Sequence, residues 1–296
     1  MSRVLIRGAR LVDPASRHDG RTDVLIEDET VEGLGGDLDA RGADVLNGDG
    51  LVLAPGFVDL HTHLREPGRE DAETVETGSR AAALGGFTAI CAMPNTDPVA
   101  DSAAVVLEVR NLADKAGLVD VHPAASITRE LEGERMTEIG ELAELGVRVF
   151  TDDGECVQSA LVMRMALEYA RAFDVVIAQH AQDATLAEGW QMHEGYWSAT
   201  LGLRGTPSEA EAVIVARDIL LAGLTGGRLH VTHASAGRSV ELVRDARRRG
   251  VRVTADVTPH HLTFTDEDLQ SYDTSLRVNP PLRAADDRDR LRAGVR

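Results

Sequence analysis

Two histidines one residue apart, His61 and His63, directly follow the apolar run 56–60. Alternate side chains of an extended chain point to the same side, so both imidazoles can bind one metal ion. Surface histidines at this spacing also occur by chance. The position of this pair at the end of a strand-like run favours metal ligands.

Two further histidines and a pair of aspartates occupy similar positions. His180 and His233 each end an apolar run, and Asp152 and Asp153 follow the run 147–151. Either histidine alone would more often be a structural residue, but together with the first pair they favour ligands. One catalytic zinc ion usually takes three protein ligands. Four histidines and a carboxylate instead suit two metal ions, which together can activate water and polarise a carbonyl group.

The bridge between two such ions can be a carbamylated lysine or a carboxylate. Lys115 is the only lysine in the chain, and it ends a helix-like segment just before Ala116 and Gly117. A lysine there is expected to face solvent. The aspartate pair at 152–153 is therefore the natural source of the bridge, with one of the two pointing away to support a loop.

Charge and composition exclude several other functions. The chain has 49 acidic and 31 basic residues, a formal net charge of −18, which argues against binding nucleic acid or an anionic membrane. Two cysteines in 296 residues do not make a disulfide scaffold and favour a cytoplasmic location. The sequence has neither a signal-peptide core at its start nor an apolar run of 18 residues, so we expect no membrane span.

Strand-like and helix-like segments must position these residues. After a β-rich stretch with turns over residues 1–54, apolar runs alternate with amphipathic segments over 55–296. The strand-like runs are 56–60, 87–93, 119–125, 147–151, 175–179, 229–232 and 251–257. The helix-like segments are 72–84, 101–116, 132–145, 157–172, 208–223, 236–249 and 284–295.

This alternation predicts an α/β fold with parallel strands, either a doubly wound sheet or a (β/α)8 TIM barrel. Seven β/α units are present, one fewer than a closed barrel requires. Polar side chains follow the strand ends repeatedly, and the carboxyl ends of barrel strands share the face on which active sites form. We therefore expect the histidines and aspartates to meet on one face.

Five sequence blocks resemble those of the dihydroorotases, within the cyclic amidohydrolase superfamily. They are P-G-F-V-D-L-H-T-H-L-R-E-P-G at 55–68, M-P-N-T at 93–96, F-T-D-D-G at 150–154, V-T-H-A-S at 231–235 and R-V-N-P-P-L at 277–282. The first and last blocks together are highly specific. They are similar to class I, in which an aspartate takes the place of the carbamylated lysine, in agreement with the lysine count.

The resemblance implies a metal-dependent hydrolase with a TIM barrel and a small β-sandwich side domain, to which residues 1–54 would contribute the N-terminal part. It implies one or two zinc ions per subunit. His61 and His63 would hold the first ion and His180 and His233 the second, with Asp153 as the bridge.

It also implies a reaction, the reversible hydrolysis of the cyclic amide of L-dihydroorotate to N-carbamoyl-L-aspartate in pyrimidine biosynthesis. Arg65, Asn95 and Asn279 resemble the residues that bind the substrate carboxylate. A planar guanidinium suits a carboxylate, and local positive charge must offset the acidic protein. The alternative for Arg65 is a surface salt bridge with Glu66 or Glu70.

The resemblance places the family's catalytic aspartate in a T-D-H-A-P-H block that would lie beyond Arg296, so we expect no catalytic residue within this chain. The barrel 55–296 would then lack about its last β/α unit. We expect a truncated version of an active enzyme, and whether the 296-residue chain is itself active stays open.

Two other functions stay open. A hydantoinase-like or allantoinase-like enzyme would hydrolyse a related cyclic amide, although most such enzymes use the carbamylated lysine. A non-catalytic partner of aspartate transcarbamoylase would bind that enzyme without needing metal. A homodimer is the other assembly that the resemblance suggests.

Overall fold

The computed structural model describes residues 2–295, in two compact units that meet in sequence between Val58 and Asp59. The strands are β1 Arg3–Asp13, β2 His18–Glu27, β3 Thr30–Leu34, β4 Asp44–Asn47, β5 Val52–Leu53, β6 Phe57–Thr62, β7 Phe87–Ala92, β8 Asp120–Pro123, β9 Val149–Thr151, β10 Val176–Gln179, β11 Met192–His193, β12 Gly205–Thr206, β13 Arg228–Val231 and β14 Val253–Ala255. The helices are α1 Val75–Leu84, α2 Ala103–Ala116, α3 Ile139–Glu144, α4 Ala160–Arg171, α5 Tyr196–Leu201, α6 Glu209–Thr225, α7 Gly237–Arg248, α8 Pro259–Thr263 and α9 Ala285–Gly294.

The first unit is a five-stranded sheet in the order β3-β2-β1-β4, with β5 also on β1. Strands β1 and β2 form an antiparallel pair, whereas β4 and β5 run parallel to β1. Leu5, Val24 and Leu25 are buried between the elements of this unit. Residues 2–58 therefore supply one sheet, and a second layer that would make a β-sandwich is not seen among them.

The second unit contains the seven expected strands in their sequence order. Strands β6, β7 and β8 form one sheet, and β9, β10, β13 and β14 form another. A parallel bridge between Ala125 and Phe150 links the end of β8 to β9. The strand pairs β7–β8, β9–β10, β10–β13 and β13–β14 are all parallel. Within residues 2–295 no pairing joins β14 to β6, so the fold is α/β and the barrel is not closed.

Helices cover the sheet through their apolar faces. In α4, the buried residues Val162, Met163, Ala166, Leu167 and Ala170 recur at the spacing of one helix face. They pack in one cluster with strand residues that are also fully buried, such as Phe150, Ile177 and Leu229. This packing fixes each parallel strand, and therefore the direction in which its carboxyl end points.

Two parts of the fold differ from the expectation. The helix expected over 132–145 is reduced to α3, because Glu130, Leu131 and Gly133 all adopt positive φ angles just before it. The connection 181–207 is not a plain loop but contains β11, α5 and β12. No helix among residues 2–295 has the length and apolar content to cross a bilayer.

The last helix, α9, ends at Gly294, within the segment expected to be helical up to residue 295. Arg296 lies outside the described residues. The family's catalytic aspartate, expected beyond Arg296, is not among the 296 residues of the sequence, so this expectation stays a prediction.

Candidate metal centre

The five predicted metal ligands all lie at the carboxyl ends of strands in the second unit. They are His61 within β6, His63 just after it, Asp153 after β9, His180 after β10 and His233 after β13. Four strands therefore deliver the donors to one place, as expected for side chains at the same end of a parallel barrel-like sheet.

The carboxylate of Asp153 lies at the centre of this group. Its Oδ2 is 3.3 Å from His61 Nε2 and 3.5 Å from His63 Nε2. Its Oδ1 is 3.3 Å from His233 Nε2 and 3.7 Å from His180 Nδ1. Each carboxylate oxygen thus faces its own pair of imidazole nitrogens, which is the arrangement that a bridge between two ions needs.

Most of these separations are close to the distance between two ligands of one metal ion. Nitrogen and oxygen ligands lie about 2.0–2.2 Å from a tetrahedral zinc ion, which puts two ligands of the same ion roughly 3.3–3.6 Å apart. The ring nitrogens His180 Nδ1 and His233 Nε2 are only 3.0 Å apart, so at most one of them can carry a proton. When neither carries a proton, both can face a cation. His61, Asp153 and His233 also offer ligand atoms that all lie within 4.8 Å of one another. The donor set and its spacing therefore fit one or two metal ions.

The protonation states of the centre favour metal binding. Burial alone would raise the pKa of Asp153, but its contacts with the imidazoles of His180, His233 and His61 outweigh burial and lower the pKa. Burial lowers the pKa values of His63 and His233. The pKa of His61 is raised, because the hydrogen bond and charge of Asp153 outweigh its burial. A charged carboxylate beside neutral imidazoles is the form that binds metal, and the directions at Asp153, His63 and His233 favour it.

Amide side chains hold two of the imidazoles in the required tautomer. His63 Nδ1 lies 3.0 Å from Asn95 Oδ1, and His180 Nε2 lies 3.0 Å from Gln182 Oε1. Since an amide oxygen can only accept, each of these ring nitrogens donates, which leaves the other ring nitrogen free toward Asp153. Sequence reasoning missed Gln182, which lies in an irregular segment without a motif.

The predicted substrate-binding residues surround this centre. Asn95 contacts His63, and Asn279 Nδ2 lies 3.4 Å from His180 Nε2. Arg65, two residues beyond His63, has a positive φ of 61° and forms no ion pair with any residue of 2–295. Its suggested surface partners are engaged elsewhere: Glu66 accepts from Val75 N–H and Glu70 from Gly68 N–H, each at 2.7 Å. The guanidinium therefore has its charge available for a ligand.

Asp152 faces away from the centre. Its carboxylate accepts the backbone N–H groups of Ile127 at 2.7 Å and Thr128 at 2.9 Å, as well as the hydroxyl of Thr128. Lys115 lies exposed on the last turn of α2. Neither residue therefore competes with Asp153 for the central position.

A His-X-His pair on the first strand of a parallel α/β unit and an aspartate among four imidazoles form a candidate metal site of the kind that metal-dependent hydrolases use. A family profile described as Dihydro-orotase-like matches residues 50–239. The chain is 53% identical over its whole length to a dihydroorotase of Streptomyces coelicolor, and it covers 68% of that relative. It is 52% identical to a dihydroorotase of Mycobacterium tuberculosis, over 99% of the chain and 68% of the relative. The chain belongs to the dihydroorotase-like family and spans about two thirds of the length of these relatives.

Solved structures agree with this placement. An L-hydantoinase from Arthrobacter aurescens superposes with a TM-score of 0.83 at 25% sequence identity, over 98% of this chain and 66% of that one. A D-hydantoinase at 22% identity, with a TM-score of 0.76, has the same fold.

Proposed function

We propose that this chain carries the metal centre of a zinc-dependent dihydroorotase. The reaction is the reversible hydrolysis of the cyclic amide of L-dihydroorotate to N-carbamoyl-L-aspartate, a step of pyrimidine biosynthesis. The observation that carries the proposal is the carboxylate of Asp153, whose two oxygens each face a pair of imidazole nitrogens. Identity of about 50% to dihydroorotases over the whole chain supports the choice of substrate.

The metal residues have separate roles in this proposal. His61 and His63 would hold one zinc ion, His180 and His233 would hold the other, and Asp153 would supply a carboxylate ligand to both. Bound zinc would supply an activated water at neutral pH and polarise the amide carbonyl group. Asn95 and Gln182 fix the tautomers of His63 and His180, so that the unprotonated nitrogens point into the centre.

The substrate residues supply charge and orientation. The chain carries a net charge of −18, so long-range attraction of an anionic substrate is unfavourable. The unpaired guanidinium of Arg65 provides local positive charge in a planar fork that fits a carboxylate. Asn95 and Asn279, which flank the centre at His63 and His180, donate amide N–H groups to the same carboxylate. Together these residues turn the ring amide toward the metals.

Further features belong to the same proposal. The seven ordered strands and the likeness to a hydantoinase support a TIM barrel over residues 55–296, completed by a further β/α unit that carries the catalytic aspartate. The sheet of residues 1–54 would form part of a β-sandwich domain.

We also propose a cytoplasmic enzyme that forms a homodimer or a complex with aspartate transcarbamoylase. Light scattering of the purified protein, alone and mixed with that enzyme, tests the assembly.

Metal analysis and an ultraviolet assay of dihydroorotate test the function. We expect one to two zinc ions per chain. For the zinc-loaded full-length enzyme, which would include the proposed catalytic aspartate, we expect hydrolysis of dihydroorotate that is lost after chelation and recovered on adding zinc. A zinc-loaded full-length protein that turns over no dihydroorotate would contradict the proposal.

The likeness to the L-hydantoinase favours a second candidate, a hydantoinase-like enzyme. The free charge of Arg65 separates the two candidates, because a hydantoin ring need not carry a carboxylate while dihydroorotate does. Parallel assays with dihydroorotate and an uncharged hydantoin decide between them. Turnover of the hydantoin alone would favour the second candidate.

A further inference from the structure

A buried carboxylate outside the metal centre holds the loop that carries His233. Glu211 lies in the first turn of α6 and is only 3% exposed. Its two oxygens accept the backbone N–H of Ser235 at 3.0 and 3.2 Å, and one of them accepts that of Ala236 at 3.1 Å. The hydroxyl of Ser235 donates to the same carboxylate. All these contacts fall within three residues of His233.

The loop needs such support because of its backbone conformation. His233 has a φ of 36°, which is unfavourable for a residue with a side chain and persists only where the surroundings hold it. Asp256 accepts the backbone N–H of His233 from one side. Glu211 holds Ser235 and Ala236 from the other side. The buried carboxylate of Glu211 and the partly exposed one of Asp256 therefore fix the direction in which the imidazole of His233 points.

Arg283 extends this support toward the substrate side. It is 4% exposed, and its Nε donates to Ser235 Oγ at 3.0 Å, so that the hydroxyl connects it to Glu211. Its Nη1 donates to the carbonyl of Thr206 at 3.1 Å and to His193 Nδ1 at 3.3 Å. Arg283 follows Asn279 by four residues. The same buried group thus ties together the His233 loop and the segment that carries Asn279.

We propose that Glu211 is a positioning residue for the metal ligand His233, and that Arg283 completes its action through Ser235. The inference rests on the proposed function for the metal that His233 binds. Partners that orient a metal ligand typically change metal affinity about 10–100-fold when they are lost. Glu211 is well placed for this role because, within residues 2–295, the N–H groups of Ser235 and Ala236 donate to its carboxylate and to no backbone carbonyl.

The test compares Glu211→Gln with Ile219→Val in the whole chain. Gln keeps the size of Glu but replaces one of its two acceptor oxygens with an N–H₂ group. This group opposes the N–H donors of the loop. Ile219 lies two turns further along α6 and is buried in the apolar core, so its variant controls for general loss of stability. Zinc affinity is measured by competition with a chromophoric chelator, and the cobalt-substituted protein is compared by visible absorption.

We expect Glu211→Gln to weaken one zinc site about 10–100-fold, to alter the cobalt spectrum and to leave the other site unchanged. Ile219→Val should leave both sites as in the parent protein. If Glu211→Gln does not fold, Ser235→Ala replaces it, with a smaller loss of about 3–10-fold since the backbone contacts remain. Parent-like zinc affinity and cobalt spectra in a folded Glu211→Gln or Ser235→Ala protein would overturn the inference.

Hydrogen exchange of the metal-free protein separates this inference from the proposed function. We expect Glu211→Gln to speed exchange in residues 233–236 at least about tenfold, and Ile219→Val to leave this segment unchanged. A parent protein that binds no zinc would contradict the proposed function. In that case, unchanged exchange of residues 233–236 in the Glu211→Gln protein overturns the inference. Faster exchange of these residues supports the conclusion that Glu211 holds the loop.

Discussion

Asp152 and Asp153 are neighbours of the same type, yet they have opposite environments. The carboxylate of Asp153 faces four imidazoles, whereas that of Asp152 accepts hydrogen bonds from Ile127 and Thr128. Successive side chains of an extended segment point to opposite sides, so only one of the two can reach the centre. The backbone at the end of β9 therefore decides which aspartate lies among the imidazoles and which one supports a neighbouring loop.

Exchange of each aspartate for asparagine separates the two roles. We expect Asp153→Asn to lower zinc affinity by more than about 100-fold, because a lost ligand costs more than a lost orienting partner. Asp152→Asn should bind zinc nearly as the parent does but lose about 1–3 kcal/mol of stability, since buried donors lose their charged acceptor. Chelator competition and thermal unfolding measure the two effects. Equal zinc affinities in the two variants would contradict this division.

Individual site residues could be predicted where residue type and strand end coincide. His61, His63, His180 and His233 stand out because histidine directly after an apolar run is unusual, and the structure brings them together around Asp153. That Asp153 is a bridge stays a prediction, which the single lysine favours. Glu211 and Arg283 have no such signal. A glutamate in the first turn of a helix is ordinarily a solvated residue, and only the packing of distant segments buries this one.

At the scale of elements, the loops that follow β6 and β7 contact each other closely. Asp97 N–H donates to the carbonyl of Pro67 at 3.0 Å. Gly68 has a φ of 99°, and a Cβ atom there would overlap the carbonyl oxygen of Asp97. These loops carry Arg65 and Asn95, so the absence of a side chain at Gly68 sets how closely these two predicted substrate-binding residues approach.

We expect Gly68→Ala to destabilise the protein by about 2–4 kcal/mol, from left-handed strain together with backbone overlap. Gly133→Ala is a matched control, because Gly133 has a φ of 74° but a Cβ atom there would meet no other atom within 4 Å. Strain alone should cost about 1 kcal/mol at Gly133. Calorimetric melting compares the two, and the KM for dihydroorotate should rise only in Gly68→Ala. Equal melting temperatures would contradict the close approach of the loops.

Most strands and helices of the second unit could be predicted, because their apolar periodicity is strong. For example, the segment 208–223 predicts α6, found at Glu209–Thr225, and 251–257 predicts β14, found at Val253–Ala255. The short elements between 181 and 207 could not, since β11 and β12 have two residues each and no periodicity. Their place depends on tertiary contacts such as that of Met192 with Leu269 and Leu282.

At the scale of the whole molecule, buried neutral histidines link stability to pH. Burial, with the charge of Arg283, lowers the pKa of His193 to about 4. Burial, with the charge of His260, lowers the pKa of His261 to about 4. His261 also donates from Nε2 to the carbonyl of Pro280 at 3.0 Å and lies beside the hydroxyl of Thr258. Both rings are therefore held neutral in the folded chain.

The metal-free protein should lose stability as the pH falls from about 6.5 to about 4. In that window the unfolded chain binds protons at both histidines while the folded chain does not, so acid favours unfolding. Each histidine contributes on the order of 2–3 kcal/mol across the window. Urea unfolding of the parent and His261→Gln at pH 7 and pH 5 measures this. A His261→Gln protein with the same pH dependence as the parent would contradict the assignment.

The spacing of the candidate metal ligands along the chain has a consequence for folding kinetics. His61 and His233 are 172 positions apart, and the other candidate ligands after His63 come from two strands between them. Contacts of such long range form late, because the chain must first close large loops. Apart from the His61-Thr62-His63 pair, the complete set of donors therefore exists only once the strands from β6 to β13 are assembled. Metal uptake by the complete set during refolding would report that moment.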